Sequence, residues 1–262
     1  MRMGISLGLQ QRGGGGGFSP ASLFASSEAG DWFDPSDLSK MWQDTAGTTP
    51  VTTDSQTVAR IDGQQGVVSL RQADAAKRPQ YKTSGGLHWL RFDGTDDNLI
   101  SSANLAFSGT DASTVAAAVT KRNTSTEGDI IAYGYLGPDN GTFGIGAGTA
   151  NNYGAVSRGT ALVFGGTASI FTSPITNVVL QNAEVTSPVL NLRVNGIERF
   201  NSNSTQGSGN YANTTMRVAT RGGTDYLLNC DLYFMLIRGV RTTGADLASL
   251  ETYAGAKAGL TI

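Results

Sequence analysis

One cysteine and one histidine in 262 residues remove a good deal of chemistry at the outset. Cys230 has no partner for an internal disulfide, and zinc sites built on paired thiolates need a second thiol. His88, between Leu87 and Trp89, is the single imidazole, so a Ser-His-Asp or Cys-His catalytic set is hard to assemble. Charge is sparse and balanced: 19 Lys and Arg against 21 Asp and Glu give a net charge of -2. No summed basic field exists to gather phosphate backbones, and nucleic acid is not an expected partner. The longest apolar runs, such as LYFMLI at 232–237, fall far short of the roughly 20 residues of a bilayer-spanning helix, so no membrane span is expected.

What is present is a long series of short strand-like segments. They run from LHWLRF at 87–92 and STVAAAVT at 113–120 through DIIAYGYL at 129–136, TFGIGA at 142–147 and NYGAVS at 152–157. They continue with ALVF at 161–164, ASIFT at 168–172, TNVVLQN at 176–182, VLNLRVNG at 189–196, TMRVAT at 215–220 and DLYFMLI at 231–237. Gly, Asn, Asp and Ser clusters separate them, and the crossover helices that a parallel sheet needs are missing, which predicts an antiparallel sandwich or barrel. Asn195-Gly196 is a type I′ hairpin signal. Helical spacing appears in two places. DPSD at 34–37 leads into a short turn with Leu38, Met41 and Trp42, and Leu247, Leu250 and Tyr253 share one face of 244–259.

The N-terminus is different in kind. Met3, Ile5, Leu7 and Leu9 alternate with small or polar residues, so all four fall on one face of an extended strand, and Gly13–Gly17 follow as a flexible spacer. A strand with no partner nearby in sequence is expected to be completed by pairing with another chain, the alternative being a disordered chain end. The expected organisation is an anchor peptide at 1–12, a linker at 13–17 and a domain at 18–262.

Four segments resemble the concanavalin A-like (laminin G-like) jelly-roll domains found in tailed-bacteriophage virion proteins. They are WFDPSDLSKMWQDTAGTTPV at 32–51, KRPQYKTSGGLHWLRFDGTDDNL at 77–99, VLNLRVNGIERF at 189–200 and CDLYFMLIRGVRTTGADLASLETYAGAKAG at 230–259. The resemblance implies an all-β, two-sheet antiparallel jelly roll with short N- and C-terminal helices. It also implies a place in a virion, as a structural or accessory protein of tail tip, fibre or head surface, docked on other virion proteins through the N-terminal peptide. Fourteen of the nineteen basic residues are arginine, which suits protein interfaces and points to a homo-oligomer. The alternative is an adhesin for a host-surface polysaccharide or receptor, and after that a glycan hydrolase.

Glycosidases of this superfamily use a Glu-x-Asp-x-x-Glu cluster, whereas the five glutamates here, Glu28, Glu127, Glu184, Glu198 and Glu251, are widely separated. A chain without enzymatic activity is therefore expected, with no catalytic residues and no cofactor. Asp93, Asp96 and Asp97 in FDGTDD offer hard oxygens of the kind calcium takes, but they are equally ordinary turn residues, and turn chemistry is the expectation. For a sugar, the aromatic candidates are Tyr133, Tyr135, Tyr153 and Tyr211, which lie near Asn140, Asn151, Asn152 and Asn210. Against that stands the reading of these tyrosines as residues of a sheet face or subunit contact.

Overall fold

The computed structural model describes residues 17–123, 127–136, 139–149, 152–168 and 174–262. The anchor residues Met3, Ile5, Leu7 and Leu9 lie outside these, as does most of the segment expected as a strand at 168–172. The architecture is an all-β sandwich of two large antiparallel sheets with one C-terminal helix. Three ten-residue strands, Ala112–Lys121, Ile175–Glu184 and Asn229–Arg238, form the centre of the first sheet. Leu87–Asp93 and Gln80–Ser84 extend it on one side, and Val189–Val194 and Ile197–Ser202 on the other. Gly30–Phe33 pairs with Asn229–Arg238 as an additional strand.

These central strands are apolar nearly throughout because both of their faces are covered. Val115, Ala117 and Val119 point into the core between the sheets, whereas Ala116 and Ala118 belong to a second cluster on the outer face. Helix α1 (Gly244–Lys257) covers that outer face with Leu250 and Ala254, helped by a 3-10 turn at Pro20–Phe24 that contributes Leu23 and Phe24. Arg193 clamps the helix by a bidentate pair to buried Glu251, with Nε–Oε1 at 2.8 Å and Nη2–Oε2 at 3.1 Å. Phe18 meets Tyr253 of the helix edge-on at 6.2 Å and so lies on this covered face.

The second sheet runs from Leu162–Gly166 at one edge through Tyr153–Arg158, Thr142–Ala147, Gly128–Tyr133 and Met216–Val218 to shorter strands of the N-terminal half. The Asn195-Gly196 turn is as its residues predict, with φ of 50° and 75° joining Val194 to Ile197. The turn expected around Leu38, Met41 and Trp42 is shorter than an α-helix. A 3-10 turn at Leu38–Lys40 passes at once into a strand at Met41–Trp42.

Candidate functional site

Of the candidate tyrosines, Tyr133 and Tyr153 lie in strands of the second sheet, and Tyr135 and Tyr211 in the connections. Tyr133, Tyr153 and Tyr211 are buried among the core residues between the sheets, so their rings do not form a ligand surface. Their hydroxyls are used internally. Tyr133 donates to the carbonyls of Leu105, at 2.8 Å, and Ala212; the Tyr153 oxygen accepts from Asn177 Nδ2 at 3.0 Å; Tyr211 shares a hydrogen bond with Ser157 Oγ at 2.8 Å. Burial pushes each of these phenols up to about 12. Period-two alternation puts Tyr133 and Tyr153 on the inner face of their strands, and Tyr211 enters the same core from a loop, because that is where apolar area leaves water. Tyr135 is different: it stays at the surface and donates its hydroxyl to Asp225 Oδ2 at 2.7 Å.

The three aspartates do come together, with one carboxylate oxygen of each within 4.8 Å of the others. Their hydrogen bonds are those of a turn. Asp93 Oδ1 accepts from the N–H groups of Thr95, Asp96 and Asp97, the first at 2.7 Å, and Asp97 Oδ2 accepts from Asp93 N–H at 3.0 Å. Burial, reinforced by the neighbouring charges of Asp93 and Asp96, pushes the Asp97 carboxyl up to about 7.

The outer face of the second sheet carries a feature that sequence spacing does not announce. Asp129 pairs with Gly146, Gly146 with Gly154, and Gly154 with Gly166, so a lateral row across four strands has a single side chain, at one end. With strands about 4.8 Å apart, the row makes a trough roughly 14 Å long. Neighbouring side chains lie down over the bare backbone. Leu136 Cδ1 would be 3.0 Å from a Cβ at Gly144, Asp129 Oδ1 3.0 Å from one at Gly146, and Phe164 Cε2 3.0 Å from one at Gly154. The parallel row of Ala132, Gly144, Val156 and Phe164 borders the trough on one side, and Gly148, Thr149 and Asn152 border it on the other. The enclosed space is about 500 Å³.

One end is closed. Arg221 reaches buried Asp129, Nε–Oδ2 at 2.9 Å, and lays its guanidinium 3.4 Å from the centroid of the Tyr226 ring. Asp129 N–H donates to the Tyr226 carbonyl at 3.0 Å, and Thr220 Oγ1 donates to the Asp225 carbonyl at 2.9 Å, so the 220–226 turn is tied both to itself and to the sheet. Burial pushes the Asp129 carboxyl up while the Arg221 charge pulls against it. The other end, at Gly166, lies on an edge strand, where Phe164 is 67% exposed. From within the sandwich, buried Lys121 donates to the Gly148 carbonyl and holds that wall; burial lowers the affinity of its amine for a proton. The trough is thus a cleft with an aromatic rim, a flat floor and a charged end, the make-up of a small-ligand site.

No family model matches the chain, and no curated protein matches its sequence. The fold itself has solved counterparts. The receptor-binding domain of botulinum neurotoxin C/D mosaic serotype is similar over 87% of this chain and 51% of its own, with 10% identity and a TM-score of 0.58. Trypanosoma rangeli sialidase in complex with 2,3-difluorosialic acid is similar over 86% of this chain and 32% of its own, at 12% identity and a TM-score of 0.57. The same sialidase in complex with sialic acid gives 14% identity over 79% and 34% of the two chains, with a TM-score of 0.55. The chain spans about a third of the length of the sialidases it matches. At these identities the likeness establishes the β-sandwich fold alone. It also corrects one expectation: a chain without enzymatic activity does not follow from the missing Glu-x-Asp-x-x-Glu cluster, because sialidases carry this sandwich.

Proposed function

We propose that this chain is a structural or accessory component of a tailed-phage particle, located at tail tip, fibre or head surface. Residues 1–12 attach it to other virion proteins, and the sandwich is held outward. The observation that carries this reading is the opposition of two faces. Phe18 lies beside α1 on the covered face of the first sheet, while the trough opens on the far face of the second sheet. A domain tethered on one side with an open cleft on the other is arranged for display. The resemblance of residues 32–51 and 77–99 to phage virion proteins supports the location. The test is deletion of residues 1–12 in the phage: the truncated chain is expected to remain folded, with an unchanged melting temperature, and to be missing from purified particles. Normal incorporation would refute the attachment.

A second reading, in which the displayed domain binds a host-surface polysaccharide or receptor, is favoured by the trough, which pairs an exposed aromatic rim with hydrogen-bonding groups. Direct adsorption of the purified full chain to host cells tests it.

A further inference from the structure

The charges around the trough restrict what can enter it. Glu127 and Asp129 line the closed end, and Asp225 stands beside it, held by Tyr135. The single guanidinium there, that of Arg221, is already committed to Asp129 through Nε at 2.9 Å and Nη2 at 3.4 Å. Lys121 is committed to the Gly148 carbonyl from within the sandwich, so among the described residues the three carboxylates outnumber the two cations, and a carboxylate- or sulfate-bearing ligand would meet net repulsion. Hydroxyl groups face no such penalty, since each can donate to a carboxylate oxygen and accept from a guanidinium or amide N–H.

Shape selects in the same direction. The floor of Gly146, Gly154 and Gly166 has no side chains of its own, so the Phe164 ring lies low over Gly154 and the Asp129 carboxylate low beside Gly146. Phe164 reaches over Gly154 and leaves most of its ring in solvent, a platform for the C–H face of a pyranose. The closed end at Asp129 stops a chain from running through, while the edge-strand end lets the rest of it leave.

We propose that the trough binds the terminal segment of a neutral oligosaccharide, stacked on Phe164, with the terminal hydroxyls at Asp129 and Arg221. This assignment rests on the host-surface reading above and names its ligand class. Neutral glycans are selected over sialylated ones, although sialidases share the fold.

The experiment is a screen of the purified full chain on an array of neutral and sialylated oligosaccharides, repeated with Phe164→Ala and Phe164→Trp. Binding is expected to neutral glycans, to fall roughly tenfold in Phe164→Ala, and to be restored by Phe164→Trp, with all three proteins melting at the same temperature because the ring is exposed. A preference for sialylated glycans, or neutral binding that ignores Phe164→Ala, would overturn the trough assignment while leaving the host-surface reading in place. Adsorption to host cells without binding to any glycan on the array would also overturn it. Absence of both glycan binding and cell adsorption would remove the host-surface reading along with it.

Discussion

The carboxylate of Asp31 fills the space that a side chain at residue 63 would need, so Gly63 and Asp31 are joined by exclusion. Asp31 sits in a strand of the first sheet, fully buried, and accepts N–H groups from Gln65, Val67 and Val68, at 2.9, 2.9 and 3.2 Å, besides that of Trp32. One side chain thereby ties the first sheet to the turn that leads into Ser69–Arg71 of the second. Gly63→Ala is expected to cost about 3 kcal/mol through overpacking, and Asp31→Ala at least as much, because it takes the acceptor from four N–H donors, of which those of Trp32 and Val68 are buried. Urea unfolding of the two variants checks this, and an unchanged midpoint in either would show that the turn is not fastened as described.

The seating of the C-terminal helix depends on a second buried carboxylate. Glu251 is 3% exposed and holds Arg193 bidentately, so Glu251→Ala leaves a partly buried guanidinium without its partner. A loss of about 2–3 kcal/mol is expected. The double variant Glu251→Ala with Arg193→Ala should recover part of that loss. A double-mutant cycle with no coupling between the two would refute the clamp.

Much of this fold is legible in the sequence itself, for reasons specific to particular strands and turns. The strands at 113–120, 176–182 and 231–237 announce themselves because α1 covers their second face and makes them apolar on both sides. Asn195-Gly196 is legible because only residues tolerant of positive φ fit that turn. Gly30–Phe33 is not, since its four residues include a buried aspartate three of whose four N–H partners lie more than thirty residues away. The trough is illegible for the same reason: Asp129, Gly146, Gly154 and Gly166 become neighbours only through strand register, and Arg221 arrives from a turn far along the chain. Phe164 did leave a trace, because in an alternating strand the large residue beside inward-facing Val163 must point out.

Asp97 predicts a pH dependence whose sign follows from its displacement. Its carboxyl titrates near 7 in the fold and near 3.8 when unfolded, so between those values the folded state holds the extra proton. Stability should therefore be highest below about pH 4 as far as this group is concerned and decline as pH rises toward 7 and beyond, by an amount of order 1–3 kcal/mol. Asp97→Asn should flatten the decline and raise the melting temperature at pH 8. Calcium offers a control on the same cluster. If the carboxylates serve the turn alone, millimolar calcium will leave the melting temperature at pH 8 unchanged, whereas a rise of several degrees that Asp97→Asn abolishes would assign them to the metal.

Cys230 provides a probe of how the sandwich opens. It is fully buried in Asn229–Arg238, paired with Phe92 on one side and Lys121 on the other, and burial pushes its thiol well above the usual range. Alkylation needs both a thiolate and access, so native labelling must pass through an opened state. If only global unfolding exposes it, the labelling rate will fall below that of the unfolded chain by the folding equilibrium constant, a factor of about 10⁴ or more for an ordinary domain, and will rise steeply with urea. The alternative opening is local, because outside the neighbouring Leu87–Asp93 strand lie Gln80–Ser84 and a short bridged segment around Thr57. Release of that pair would expose Cys230 with the central strands intact, and labelling would then be faster and nearly independent of low urea. The long pairing of Asn229–Arg238 with Ala112–Lys121, broken only by a register shift between Leu232 and Phe234, and the Arg91–Asp231 bridge, Nε–Oδ1 at 2.8 Å, favour the global route. Urea-independent labelling that Arg91→Ala accelerates would show instead that this side of the first sheet opens by itself.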